Sequence, residues 1–167
     1  MVEVLSRHVV VDSQVCEDGL TFRWTRVCVA DVLDQVASGL AWETIIDERG
    51  GAISKDAIAD ALRLAREALL VHVEQPLYEA GKRDPSKVAE LGRYIVADPG
   101  ICHGRLTFRG RRVFVADVLG DVIDEYWWQT ISEDWLGLPK EAISEAVCLA
   151  RAALLEHWQE LLQPPET

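Results

Sequence analysis

Arg105, Arg109, Arg111 and Arg112 fall within eight residues that contain no carboxylate, and Arg23 and Arg26 echo them earlier in the chain. A guanidinium fork grips a carboxylate or a phosphate through two parallel hydrogen bonds, so such a cluster suits contact with an acidic partner. The competing account pairs Arg26 and Arg112 internally, with Asp31, Asp117 or backbone carbonyls. Charge is also segregated along the chain, with basic hairpins and an acidic excess on the helical segments.

Other reactive side chains are sparse. Cys16 and Cys102 stand 86 residues apart, and His103 follows the second, but Glu17 occupies the place of His103 in the first pair. A soft-metal site needs three or four converging thiolate or imidazole ligands. The four cysteines, Cys16, Cys28, Cys102 and Cys148, form no CxxC pair, so the expectation is reduced, buried thiols and no metal site. His72 and His157 fall near the ends of long helical segments, where a structural role at the helix dipole is expected. No nucleophile–base–orienter set, phosphate loop or zinc-protease motif is present, so neither an enzyme nor a cofactor is expected.

A formal charge of −11 and a pI near 4.8 oppose non-specific nucleic-acid binding, which draws on lysine and arginine to displace counterions. Met1–Leu5 is too short for a secretory leader, Asp12 breaks the apolar stretch after it, and no long apolar run suggests a membrane span. A cytoplasmic protein is the expectation.

The elements that must position the arginines occur twice. Leu20-Thr21-Phe22-Arg23, Arg26-Val27 and Val29-Ala30-Asp31-Val32-Leu33 return as Leu106-Thr107-Phe108-Arg109, Arg112-Val113 and Val115-Ala116-Asp117-Val118-Leu119. The spacing predicts a tandem duplication, with a first unit over 1–75, a connector over 76–92, a second unit over 93–163 and a frayed tail over 164–167. Each unit opens on a β-branched run, His8–Val11 or Tyr94–Ala97, followed by a predicted β-hairpin around Trp24-Thr25 or Gly110-Arg111. Gly110 supplies the positive φ a tight turn needs, and Trp24 takes the matching place at a steric cost.

The hydrophobic period then lengthens from two to about 3.6. Val32, Leu33, Val36 and Ala37 line a short helix closed by Gly39, and a second short helix spans about Trp42 to Glu48. Ser54 caps a longer helix with Ile58, Ala61, Leu62, Ala65, Leu69 and Val73 on one face. The second unit repeats this with Val118, Leu119, Val122 and Ile123, then Trp128–Trp135, then a helix after Pro139 carrying Ile143, Ala146, Val147, Ala150 and Leu154. Pro85 is expected to open a minor helix from Lys87 to Leu91 in the connector.

The second unit reads Arg93-x-Ile95-Val96-x-Asp98-Pro99, then Ile101-Cys102-His103-Gly104-Arg105, then Phe108-Arg109-Gly110-Arg111-Arg112-Val113-x-Val115. This resembles the small bacterial domain of unknown function 433. The copies depart from its pattern in different ways, with Trp24 and Asp18 in place of two glycines, Arg111 in place of a threonine, and Leu20 and Leu106 in place of a proline. The resemblance implies homeodomain-like helix-turn-helix units and, for some relatives, an antitoxin role beside PIN-type ribonuclease toxins.

Together these readings predict a mainly α protein: two homologous units, each a short hairpin plus a three-helix homeodomain-like bundle, packed as an intramolecular pseudo-dimer. The expected function is that of a non-enzymatic, antitoxin-like protein whose partner-binding residues are Arg23, Arg26, Arg105, Arg109, Arg111 and Arg112, facing an acidic protein partner, for which the resemblance offers a PIN-type ribonuclease toxin as one candidate. The alternative is a helix-turn-helix DNA-binding regulator with Lys55, Arg63 and Lys140 as its candidate reading residues. Asp56, Asp60, Glu141 and Glu145 on the same helices would repel phosphate, so nucleic acid is the less favoured partner. Adjacent helical positions cannot both face one core, so Trp127, Trp128 and Trp135 are expected to supply packing between the units.

Overall fold

The structure is a computed structural model that describes residues 2–162. The predicted tail over 164–167 lies outside these residues, as does Gln163 at the end of the predicted second unit.

In the first half, β1 (Glu3–Val4), β2 (Val9–Val11) and β3 (Leu20–Phe22) form an antiparallel sheet in the order β1-β2-β3. Helices α1 (Val29–Ala37), α2 (Trp42–Glu48) and α3 (Lys55–Leu69) come next. A π-helical turn over Leu70–Glu74 runs on into α4 (Gln75–Arg83). The second half has β4 (Ala89–Glu90), β5 (Ile95–Ala97) and β6 (Leu106–Phe108) in the order β4-β5-β6, then α5 (Val115–Ile123), α6 (Trp128–Asp134) and α7 (Lys140–Leu161). Registers agree: Val9 faces Phe22 as Ile95 faces Phe108.

The helices obey their sequence signals. Ser54 Oγ accepts from the Ala57 N–H at 3.2 Å, and Gly39, at φ +83°, donates to the Val36 carbonyl at 3.0 Å to close α1. The predicted apolar faces of α1, α3 and α7 are buried except at Val73, which is half-buried. Along α3, Ala57, Ala61, Ala65 and Ala68 form a buried ladder, matched on α7 by Ala142, Ala146, Ala150 and Ala153. These two helices make the most extensive contact between elements in the molecule. Small side chains on both ridges let the backbones approach closely.

The predicted class needs correction. The chain is mixed α/β, with two three-stranded antiparallel sheets, and not mainly helical. Nor is it a pseudo-dimer of homeodomain-like bundles: the buried side chains of both halves form one continuous core. Two things hid this. The outer strands β1 and β4 are two residues long, too short for an alternating pattern to register. The expected hairpin partner of β3 is reduced to a single bridge, Thr21 to Cys28, because α1 starts at Val29 and turns the chain away. The full partner of β3 is β2. The connector also departs from expectation, since α4 covers Gln75–Arg83 and the segment expected as a helix over Lys87–Leu91 carries β4.

The thiol expectation is likewise overturned. Cys16 and Cys28 form a disulfide, and only Cys102 and Cys148 are free. The bond ties the β2–β3 loop to the N-cap residue of α1. The second half has no counterpart, since Phe114 stands before α5 where Cys28 stands before α1. No helix among the described residues is long and apolar enough to cross a membrane.

Candidate interaction surface

Two tight turns carry the arginines. After β3 the chain reverses at Trp24, whose φ is +67°, and Thr25 Oγ1 both donates to the Phe22 carbonyl at 2.7 Å and accepts from the Val27 N–H at 3.0 Å. The turn is thus pinned while its indole is 89% exposed. The Arg23 guanidinium lies 4.8 Å above the Trp24 ring. After β6 the equivalent reversal uses Gly110 at φ +74°, where the missing Cβ removes the conformational cost.

The six predicted arginines separate into two groups. Arg105 Nη1 bonds Glu74 at 3.1 Å, and its guanidinium lies 4.4 Å from the Tyr78 ring. Arg109 reaches Glu90 at 2.9 Å and the Arg93 carbonyl at 3.1 Å. Arg111 donates to the carbonyls of Trp135 and Leu136 at 3.2 and 2.9 Å, in the loop that follows α6. By contrast, Arg23, Arg26 and Arg112 make no ion pair among the described residues. Arg26 and Arg112 are both exposed, so the internal pairing weighed for them with Asp31 and Asp117 is not present.

The residues considered for DNA reading are treated unequally by the fold. Lys55 sits between Glu43 at 2.6 Å and Glu125 at 2.7 Å. Hydrogen bonds to Glu125 and then Glu43 hold its ammonium above the ordinary lysine value, and the bond from Lys55 holds the Glu43 carboxyl below the ordinary glutamate value. Its charge is therefore already matched. Arg63 and Lys140 are exposed without an ion-pair partner among the described residues.

Asp60 and Glu145, expected to point at solvent, instead clasp the sheets. Asp60 accepts from the His8 N–H at 3.0 Å, and Glu145 from the Tyr94 and Ile95 N–H groups at 3.0 and 3.2 Å. A Cβ on Gly92 would collide with the Glu145 carboxylate. Gly92→Ala should therefore open this clasp and lower stability by about 1–2 kcal/mol, the cost of unpaired strand donors, measured by urea unfolding. An unchanged unfolding midpoint would deny Glu145 that role.

The tryptophans also part company. Trp128 crosses to the first half and lies 3.5 Å from where a Cβ on Gly39 would stand. Trp135 stays in its own half, where its Nε1 donates to Asp121 at 2.8 Å. Trp127 is 82% exposed and, with Tyr126, Trp42 and Lys140, borders an open groove of about 710 Å³ between the α1–α2 and α5–α6 loops.

Sequence reasoning missed the residues that join the halves. Arg66 Nε donates to the Ala116 carbonyl at 2.9 Å, and Arg151 Nε to the Ala30 carbonyl at 2.8 Å, so each long helix reaches the start of the other half's first helix. Their signal was recurrence 85 residues apart inside an otherwise apolar face. Glu74 gave no such signal.

Residues 95–149 match the family model described as Protein of unknown function (DUF433). The match lies within the second half and covers about a third of the chain. Comparison with curated proteins and with solved structures gave no match. The DUF433 segment runs from β5 into α7 and includes Arg105, Arg109, Arg111 and Arg112, whereas Trp24 and Arg26 lie before it.

Proposed function

We propose that this chain is a non-enzymatic, antitoxin-like interaction protein built from two copies of one domain. It binds an acidic protein partner through the cations its own fold leaves unmatched, Arg26 and Arg112, with Trp24 as an apolar anchor beside Arg26. The observation that carries this reading is Trp24. An indole that is 89% exposed and held at φ +67° gains nothing from burial and sits where glycine would relieve the turn. Tryptophan and arginine are the residue types that dominate binding energy when a partner desolvates them. Arg23 stacked on the indole presents its charge on the same face.

A partner of PIN type would present clustered metal-binding aspartates, which suit guanidinium forks. The repeated succession of strands and helices and the recurring Leu-Thr-Phe-Arg and Val-Ala-Asp-Val-Leu segments support duplication of the domain. For a DNA-reading role, the match of Lys55 to two glutamates and the net charge of −11 weigh against phosphate contact.

The test is affinity capture from host extract with the parent chain, Trp24→Gly and Arg26→Glu/Arg112→Glu, alongside gel shift on host promoter DNA. A protein retained by the parent should be lost from the double charge reversal and reduced at least tenfold by Trp24→Gly. Equal recovery of every retained protein by all three chains, or a salt-sensitive gel shift in place of protein capture, would overturn the proposal.

A further inference from the structure

Two imidazoles meet at the far end of the α3–α7 seam. His72, on the π-helical turn, stacks on His157 of α7 with ring centroids 4.7 Å apart and planes inclined by 10°. One turn further along α7, Glu160 Oε2 lies 3.0 Å from His157 Nδ1. The three side chains bring one donor atom each within 4.8 Å of one another. Both histidines are half-buried and Glu160 is exposed, so the cluster opens to solvent. The neighbouring Glu156 is 3.9 Å from the other nitrogen of His157. The His72 ring makes no hydrogen bond among the described residues.

We propose that His72, His157 and Glu160 form a binding site for one borderline divalent transition-metal ion of the zinc type. Two imidazole nitrogens and one carboxylate oxygen are the donor set such ions prefer, and three protein ligands leave the fourth position to water. Magnesium and calcium, which want oxygen donors, are excluded by the same chemistry. His157 and Glu160 are three residues apart on one helix, so both project from one face and chelate together. His72 comes from a π-turn, a departure from α-geometry that recurs at functional sites.

Metal–nitrogen bonds of about 2.0–2.1 Å require ligand atoms about 3.3 Å apart in a tetrahedral site, so the donors must close in from their present spacing. The stacked rings have to tilt apart for both nitrogens to aim at one point. A ligating imidazole nitrogen must be free of its proton, so metal affinity falls at low pH. This site is independent of the arginine surface and of the partner reading.

The experiment is isothermal titration of the full-length chain carrying Cys102→Ser and Cys148→Ser, which removes the free thiols, with zinc chloride at pH 7.5 and 5.5 and with magnesium chloride as a control. One zinc per chain is expected at pH 7.5, weakened at least tenfold by His72→Gln, by His157→Gln and by pH 5.5, and several-fold by Glu160→Gln. Cobalt(II) should give a visible absorption band of nitrogen and oxygen ligation that disappears in either histidine variant. Circular dichroism and metal-free melting of each variant separate ligand loss from misfolding. Absence of stoichiometric zinc binding by the parent, or undiminished binding by folded His72→Gln and His157→Gln, would overturn the site.

Discussion

Glu74→Ala is expected to cost about 3 kcal/mol of stability. Glu74 is only 5% exposed. One oxygen accepts from Arg105 Nη1 at 3.1 Å and the other from the Leu106 N–H at 3.0 Å, so the carboxylate stitches the π-turn to the start of β6. Arg105 retains 41% side-chain exposure and rehydrates when its partner goes, which discounts the ionic part. Leu106 is fully buried, and its N–H would be left without an acceptor. At roughly 2–4 °C per kcal/mol for a chain of this size, the melting temperature should fall by about 6–12 °C. Glu79→Ala, on the exposed face of α4, should change it by less than 2 °C, or about 0.5 kcal/mol. Arg105→Ala should also destabilise, and the double variant should lose less than the sum of the two single losses. Equal melting temperatures for parent and Glu74→Ala would show that the contact does not hold the halves. The same result bears on function, because Arg105 belongs to the fold before it belongs to any partner.

Removing the Cys16–Cys28 disulfide is expected to cost about 3 kcal/mol. The bond spans 12 positions, and closing a loop of about that length removes chain entropy of this order from the unfolded state. It also fastens the β2–β3 loop to the N-cap of α1, immediately after the turn that displays Trp24 and Arg26. A Cys16→Ser/Cys28→Ser chain should melt about 6–12 °C below the oxidised parent, and the reduced parent should behave like the variant. Thiol titration of the unfolded, oxidised parent should find Cys102 and Cys148 alone. Four reactive thiols in that preparation, or a variant that melts with the parent, would remove the bond from the account. Cys102→Ser should leave the transition where it is, since that residue is free.

Which features were legible in the chain depends on how local their causes are. Gly39 closing α1, Ser54 capping α3 and the apolar stripes of α3 and α7 all depend on neighbours within two turns, and all are present as expected. Gly110 and Trp24 at positive φ were likewise predictable from a two-residue turn. The buried Glu74 was not. In an α-helix continuing from Leu69 it would fall on the outer side, but the π-turn pairs residues five apart and brings it beneath Leu69. Nothing in the local pattern of Leu70–Glu74 announces that extra residue per turn.

The candidate surface divides in the same way. A cluster of arginines after β3 and β6 was visible as composition, but which of them remain free depended on residues far along the chain. Glu74 lies 31 positions from Arg105, Glu90 lies 19 from Arg109, and the Trp135 and Leu136 carbonyls lie 24 and 25 from Arg111.

By itself the amino-acid sequence determined the caps, the helix faces, the turn positions and the recurrence of one pattern in both halves, because propensity and periodicity act over a few residues. Tertiary structure alone decided the third strand of each sheet, the joining of two apolar faces into one core, the pairing of Cys16 with Cys28 and the meeting of His72 with His157. Each of these is a contact between groups far apart in the chain, and it is settled by which buried surfaces and polar groups can be satisfied together once the backbone has closed.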